Sequence, residues 1–309
     1  MAGRFNRGEI RFRAPSDLCL SRNYEEVVQL VTKIWAVLHQ AKMFVDFKSI
    51  NTVSPDAALL LAATFDMWQR VKNSALRTRD IERWVPEVSH VFRSLGLFDL
   101  LRTPGLPPIN QERVTNVEIL KLQSGLGADG SLARELTQAL GKIFGQIDEE
   151  PLYVGLTEAM TNSGQHAYPE EFYKEIPPEF RRWWMTGSYD KSLNSLRILI
   201  LDLGVGIPFT LPRSSIGERI AGYLARYTTP DDADRIDAAV QVGRTSTGTQ
   251  GRGNGLDEIR KFIEQSPGGR LRILSGKGEV VYTSGDVHPK KSTHVASVPG
   301  TLIEWEIFR

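Results

Sequence analysis

The chain has 309 residues, which is enough for one large domain or two ordinary ones with a substantial core. An apolar content of 41% and a charged content of 24% are typical of a soluble globular protein, and a formal net charge of +1 gives no electrostatic reason to expect a nucleic-acid or membrane partner. The single cysteine, Cys19, excludes an internal disulfide and any CxxC motif, which favours a reducing, cytoplasmic location.

The N-terminal part alternates between strand-like and helix-like patterns. The first strand is "EIRFRAP", the first helix "NYEEVVQLVTKIWAVLHQA", and a short buried strand "MFVDF" follows. The next helix, "SPDAALLLAATFDMWQRV", has Ser54 and Pro55 at its start. The last helix, "ERWVPEVSHVFRSLGLFDLL", has a break near Gly96. The alternation predicts a small α/β domain at residues 1–105. The Pro-rich stretch Arg102–Asn116 then indicates a linker, placed at 106–116, before a second domain at 117–309.

The C-terminal part combines helices with a largely antiparallel sheet. Its predicted helices are "SLARELTQALGKIFGQI", "EPLYVGLTEAMTNSGQHAY" and "NGLDEIRKFIEQ", and its predicted strands are "LRILILDL", "RLRILSG", "EVVYTS" and "TLIEWEI". We expect a polar, aromatic insert at Pro169–Asn194, with Trp183 and Trp184 packed in a hairpin. A long irregular region with short helical patterns inside it is expected at Gly204–Gly253. These patterns predict an α+β fold, with helices on one face of the sheet.

A cluster of glycines, Gly251, Gly253 and Gly255, precedes the last predicted helix. A dinucleotide-binding loop requires GxGxxG after a strand, and here the third glycine is misplaced and the preceding residues are loop-like. A P-loop requires GxxxxGK[ST], which occurs nowhere in the chain. By itself the cluster is more typical of a turn than of a ligand site.

Two further motifs change that interpretation. In "EAMTNSGQHAY", Glu158 and Asn162 are four residues apart, so a helix presents both on one face. A carboxamide oxygen suits a hydrated divalent cation, and a carboxylate beside it can orient or deprotonate water. In "ILDLGVGIP", Asp202 follows an apolar strand, where a carboxylate can accept a hydrogen bond from an exocyclic amine in an apolar pocket. Alone, these motifs also fit a solvated helix face and a simple strand-to-loop turn.

Together the motifs follow one order: ExxxN on a helix, DxGxGI after a strand, a long segment, and GxGxGL opening a helix. Over roughly Val114–Arg309 this order resembles the GHKL superfamily of ATP-binding proteins. "EAMTNSGQHAY" is most similar to the "EAxTNAxxHxY" pattern of anti-sigma-factor serine kinases. The resemblance implies a GHKL α/β sandwich with ATP (or ADP) and Mg²⁺ as ligands, and a lid over ATP at Pro208–Gln250.

The resemblance also implies a role for individual residues. Asn162 would hold Mg²⁺, and Glu158 would be the catalytic base that activates water or a hydroxyl. Asp202 would bind the adenine amino group, and Thr301 would help to bind adenine through a water molecule. Gly204, Gly206 and Ile207 would line the adenine and ribose. The phosphates would lie at a helix N-terminus, where backbone N–H groups and the helix dipole favour anions. The residues expected there are Gly251, Arg252, Gly253, Asn254, Gly255 and Leu256.

The N-terminal part, over about Gly8–Thr103, resembles a STAS-like (anti-sigma-antagonist) domain. In such domains a strand leads through a "DSSG" turn into a helix, and here the turn is "SPDA", with Ser54 adjacent. Pro55 and Asp56 replace the phosphorylatable serines, so regulation by phosphorylation does not follow from the resemblance. A generic α/β domain used for packing or dimerisation is the alternative.

Three functions follow from these resemblances. The chain would be an ATP-hydrolysing regulatory switch whose lid controls contacts with a protein partner, a serine/threonine kinase of the anti-sigma-factor type acting on a STAS-like partner, or a non-catalytic nucleotide-sensing scaffold. Homodimers are common among similar kinases, so a homodimer is a further expectation. The sequence does not decide between hydrolysis and phosphate transfer.

Overall fold

The computed structural model describes residues 9–37, 42–74, 76–103, 116–145, 147–213, 217–244, 255–264 and 266–308. The chain divides into two compact units, Met1–Thr115 and Asn116–Arg309. This division falls at the end of the stretch expected to be a linker, most of which lies outside the described residues. Within the described ranges, no helix has both the length and the apolar character needed to cross a membrane.

The N-terminal unit contains short parallel strand pairs and helices. Its elements are β1 (Glu9–Arg13), β2 (Asp17–Leu18), α1 (Tyr24–Ala36), β3 (Lys42–Asp46), β4 (Thr52–Val53), α2 (Pro55–Lys72), a 3₁₀ turn (Ile81–Arg83), α3 (Pro86–Ser94) and α4 (Leu97–Leu100). Strand β1 pairs with β3, and β2 pairs with β4, both in parallel. The predicted strands and helices are present, whereas the two-residue strands β2 and β4 are too short to leave a periodic pattern in the sequence.

Helix α2 begins where the sequence predicts. Ser54 is extended and Pro55 is the first helical residue, where its missing N–H costs nothing because that group has no partner inside a helix. The expected break near Gly96 is also present, since Gly96 has φ of 86°, a left-handed conformation that separates α3 from α4.

The C-terminal unit has a six-stranded antiparallel sheet. Its elements are β5 (Val117–Ile119), β6 (Gln123–Gly125), α5 (Gly130–Phe144), α6 (Glu149–Asn162), a π-helical segment (Ser163–Ala167), a 3₁₀ turn (Pro178–Phe180), β7 (Trp183–Asp190), β8 (Ser195–Asp202), α7 (Ile207–Thr210), a 3₁₀ turn (Leu211–Arg213), α8 (Gly217–Leu224), α9 (Asp232–Arg244), α10 (Gly255–Glu264), β9 (Arg270–Thr283) and β10 (Lys290–Phe308). The strand order is β5-β7-β8-β10-β9, and β6 also pairs with β7. All these pairings are antiparallel, which confirms the predicted combination of helices with a largely antiparallel sheet.

One face of this sheet shares a hydrophobic core with α5, α6, α9 and α10. Helix α5 shows the reason, because Ala133, Leu136, Leu140 and Phe144 recur at spacings of three and four and are all buried. On the sheet side the largest contributions come from the fully buried Trp183 and Trp305. The indole Nε1 of Trp305 also donates a 2.6 Å hydrogen bond to the backbone oxygen of Ile259, which attaches α10 to β10.

The expectation of an insert at Pro169–Asn194 is wrong for its second half. Residues Trp183–Asp190 form β7, a strand inside the sheet that pairs with β8 in a hairpin, and both tryptophans are fully buried. Burial of both faces removes the alternation that marks a half-buried strand, and Gly187 and Ser188 have low strand propensity. The prediction that the two tryptophans pack in a hairpin is confirmed. "RLRILSG" and "EVVYTS", expected as two strands, form the single strand β9.

The short helical patterns expected inside Gly204–Gly253 are present as α7 and α8, whereas the 13-residue helix α9 is longer than an irregular region predicts. Ile236 and Val240 of α9 are fully buried in the core beneath the sheet. On its other side, Ala238 and Ala239 pack with residues of the preceding helices. Helix α9 therefore belongs to the helical layer, and the lid that the resemblance implies at Pro208–Gln250 would include this packed helix. The helix is hard to find in sequence because small apolar residues lie on two of its faces.

Candidate functional site

Asp202 lies at the end of β8, directly opposite Thr301 on β10. Ser275 of β9 joins the same cluster: its Oγ accepts a 2.8 Å hydrogen bond from the Ile207 N–H and lies 2.9 Å from Oγ1 of Thr301. The Ser275 hydroxyl also donates to the backbone oxygen of Gly300, at 3.0 Å, and the residue is fully buried. Two of the predicted adenine-side residues, Ile207 and Thr301, are therefore connected through a serine that sequence analysis did not identify.

Close contacts within the protein explain the glycines around Asp202. A Cβ at Gly204 would lie 2.1 Å from the backbone oxygen of Ala167, and a Cβ at Gly206 would lie 2.7 Å from Oγ of Ser275. At Gly300 it would lie 1.9 Å from the backbone oxygen of Asp202. Real Cβ atoms do not approach so closely, so these glycines allow three chain segments to meet around the Asp202 carboxyl group. The expected contact of Gly204 and Gly206 with a nucleotide remains a prediction.

We predict that Gly300→Ala lowers the free energy of unfolding by about 2 kcal/mol more than Gly285→Ala does. Both glycines have positive φ, 76° and 88°, so both variants carry a similar backbone strain. Only at Gly300 does the new methyl group collide with backbone, whereas nothing lies within 4 Å of a Cβ at Gly285. Urea unfolding of the two variants measures the difference, and equal free energies would contradict the close approach.

The π-helical segment that follows α6 is attached to the Asp202 loop. The Val205 N–H donates a 2.8 Å hydrogen bond to the backbone oxygen of Ala167. Leu203, the residue after Asp202, is held on both sides: its N–H donates to the Tyr168 hydroxyl at 3.0 Å, and the Tyr173 hydroxyl donates to its backbone oxygen at 3.1 Å. Burial and the nearby Asp202 charge raise the pKa of both tyrosines, so Tyr173 keeps the proton that it donates to Leu203.

Glu158 and Asn162 lie on the same face of α6, one turn apart, and both are half-buried. Helix α10 packs directly against α6. Gly255 and Leu256, two of the residues expected at the phosphates, form the first turn of α10. The other four, Gly251–Asn254, lie outside the described residues, as does the upstream "TSTGTQ" segment of the expected lid.

Burial raises the pKa of the Asp202 carboxyl group to about 7, even though the backbone N–H groups of Gly204 and Thr301 donate hydrogen bonds to it. The Gly204 N–H lies 2.9 Å from Oδ1. Both backbone donors favour the carboxylate, but desolvation outweighs them. A ligand that brings another hydrogen-bond donor to this carboxyl group would favour its charged form.

A stability prediction follows from this pKa. Between about pH 4 and pH 7, folded Asp202 retains a proton that the unfolded chain has lost, so its contribution to stability falls as pH rises through this window, by up to about 1.4 kcal/mol per pH unit. Asp202→Asn has no such proton. Thermal unfolding at pH 5, 6, 7 and 8 should show the variant gaining stability relative to the wild type up to about pH 7. Parallel profiles would contradict the raised pKa.

The Asn162 side chain suits a weakly held, hydrated cation better than a metal ion enclosed by protein ligands. No group of three or more His, Cys, Asp or Glu side chains is arranged to hold a metal ion within the part of the chain that the structure describes. Mg²⁺ commonly keeps several waters and takes one or two protein oxygens together with substrate phosphates. The Asn162 carboxamide oxygen fits that requirement, provided that a nucleotide supplies the remaining ligands.

Sequence analysis missed Ser275, Tyr168 and Tyr173. Ser275 has one signal, its position between an apolar strand pattern and Gly276, where a serine often ends regular pairing. Tyr168 is the last residue of the quoted "EAMTNSGQHAY" motif, but nothing in the motif shows that its hydroxyl reaches Leu203. A long-range contact of this kind depends on the tertiary fold.

A comparison with models of known protein families gave no match for the chain, and a comparison with curated proteins gave none either. The geometry of the site therefore carries the functional interpretation.

Proposed function

We propose that residues 116–309 bind ATP with Mg²⁺ and act as an ATP-hydrolysing regulatory switch of the GHKL type. One observation carries the proposal: the described parts of three motifs that are distant in sequence lie, together with Thr301, on elements that contact one another. Helix α6, with Glu158 and Asn162, leads into the π-helical segment, whose Ala167 accepts a hydrogen bond from the Asp202 loop. Asp202 lies opposite Thr301 in the sheet. Helix α10 packs on α6. A set of unrelated turns and solvated faces has no reason to assemble in this way.

Each side chain then has a defined part in the reaction. The Asp202 carboxylate accepts a hydrogen bond from the exocyclic amine of adenine, with Thr301 beside it. The backbone N–H groups at the start of α10 face the phosphates, where the helix dipole favours negative charge. Mg²⁺, held by Asn162 and the phosphates, would offset negative charge on the phosphates. An oxygen of Glu158 takes the proton from the attacking water as the new O–P bond forms and the bond to ADP breaks.

A second candidate function is phosphate transfer to a serine or threonine of a STAS-like partner. It is favoured by the similarity of "EAMTNSGQHAY" to the serine-kinase pattern. The N-terminal unit supports it further, because its parallel strand pairs and the turn from β4 through Ser54 into α2 fit a STAS-like domain. The Ser54 hydroxyl interacts with the neighbouring Asp56 carboxylate, so within this chain it is already engaged.

Incubation with γ-labelled ATP and Mg²⁺, alone and with a STAS-like protein, separates these functions. A switch releases labelled phosphate without labelling protein, and a kinase transfers the label to serine or threonine. Retention of intact ATP on the protein would indicate a nucleotide-sensing scaffold. The absence of release, transfer and binding would refute the proposal.

A further inference from the structure

A cavity lies within the N-terminal unit and takes no part in the proposed nucleotide site. It has a volume of about 470 Å³ and opens between strand β3, helix α2, Ser74 and residues 76–79. This volume is in the range of sites that bind small organic molecules.

The floor of the cavity is aromatic and preformed. Phe47, Phe65 and Trp84 line it and are all buried. The ring of Phe47 lies 4.7 Å from that of Trp84 and 6.1 Å from that of Phe65, centroid to centroid. Phe92 packs behind this floor, with its ring 5.3 Å from Phe47. Rings that pack on one another in this way offer an apolar surface that needs little reorganisation to receive a ligand.

The rim of the cavity is cationic. Arg77 and Arg79 line it with exposed side chains, and no acidic residue is present among the described lining residues. Asp46 and Asp80, which adjoin lining residues in sequence, both form ion pairs with Lys48, each with an Nζ–Oδ2 distance of 3.6 Å. The guanidinium of Arg79 also lies 5.2 Å from the ring centroid of Phe44, which keeps it at the edge of the cavity.

We infer that this cavity binds a small amphipathic organic anion. A flat apolar body lies on the rings of Phe47 and Trp84, and an acidic group faces Arg77 and Arg79. The apolar floor requires the apolar body, and the rim of guanidinium groups, without lining carboxylates, selects the negative charge. A cation would meet like charge at the rim, and a neutral molecule would gain nothing from it.

Two fluorescent probes test this inference on the full chain. 8-Anilinonaphthalene-1-sulfonate carries a flat apolar body and a sulfonate, and N-phenyl-1-naphthylamine has the same body without the charge. We expect the sulfonate to bind one site per chain, at least about ten-fold more tightly than the neutral probe. Decanoate should displace it better than decanol does, and excess Mg-ATP should not displace it.

Variants separate the floor from the rim. Arg77→Ala combined with Arg79→Ala should weaken sulfonate binding by about ten-fold and leave the neutral probe unchanged. Arg83→Ala, an exposed arginine outside the lining, is the matched control and should change neither. Leu76→Trp, which fills the cavity, should abolish binding of both probes, with circular dichroism to verify folding.

Three outcomes would overturn the inference. Equal affinity for the charged and neutral probes would remove the role of the rim, as would wild-type sulfonate binding in the double arginine variant. Displacement of the sulfonate by Mg-ATP would place the probe in the nucleotide site. None of these outcomes bears on ATP binding itself, so failure here is distinguishable from failure of the proposed function.

Discussion

Glu158→Ala is expected to slow phosphate release from ATP by about 100-fold or more while Mg-ATP binding stays close to that of the wild type. Glu158 is assigned to proton removal in the reaction, so its loss affects the transition state and leaves ground-state contacts in place. The contacts that we propose between adenine and Asp202 and Thr301 would involve strands of the sheet and not α6. Single-turnover phosphate release and calorimetric binding measure the two quantities separately.

Glu150→Ala is the matched control for Glu158, because it removes an exposed glutamate from the first turn of the same helix. It should release phosphate at the wild-type rate. Glu158→Gln should behave like Glu158→Ala, since the amide keeps the shape of the side chain without its basicity. Turnover at the wild-type rate in Glu158→Ala would show that Glu158 is not the base.

Asp202→Asn is expected to weaken Mg-ATP binding by roughly 10- to 100-fold, because hydrogen bonds to a charged acceptor contribute about 1.5–3 kcal/mol. The wild-type affinity should also fall as pH drops below about 7, since burial raises the pKa of Asp202 to about 7 and the protonated carboxyl is a poorer acceptor. The variant should lose this pH dependence. Binding titrations at pH 6 and pH 8 test both effects.

Asp190→Asn is the control for Asp202, because Asp190 lies at the opposite end of the β7–β8 hairpin, where it accepts from the Ser192 N–H. This variant should bind Mg-ATP like the wild type. Unchanged affinity in Asp202→Asn, with unchanged discrimination between ATP and GTP, would remove Asp202 from the adenine site. Loss of binding in both variants would indicate a general loss of structure.

Local patterns predicted those parts of the fold whose signals are contained in short stretches. Helix α5 could be predicted because its buried residues recur at helical spacing, and α2 because Pro55 fits the first turn of a helix. The strand β8 was visible as a continuous apolar run that ends in a carboxylate. The face shared by Glu158 and Asn162 followed from their spacing alone.

Features that depend on burial from two sides could not be predicted in this way. Strand β7 is buried on both faces, and α9 packs both toward the sheet and toward α8, so neither element shows clean amphipathic periodicity. The role of Ser275 depends on β9 passing beside β10 at Thr301, and nothing in the local sequence specifies that register. Gly204 and Gly206 were expected to lie against a nucleotide, whereas a Cβ at Gly204 would meet the backbone oxygen of Ala167 and a Cβ at Gly206 would meet Oγ of Ser275.

The most direct test of the central claim is a calorimetric titration of the full chain with Mg-ATP at pH 8, where the Asp202 carboxyl group is charged. We predict saturable binding at one site per chain, with Kd below about 1 mM. Mg-GTP should bind more weakly, because guanine carries a carbonyl oxygen where adenine carries the amine that would donate to Asp202. A folded protein that shows no saturable heat with Mg-ATP at millimolar concentration would contradict the assignment. Equal binding of ATP and GTP would contradict the role of Asp202.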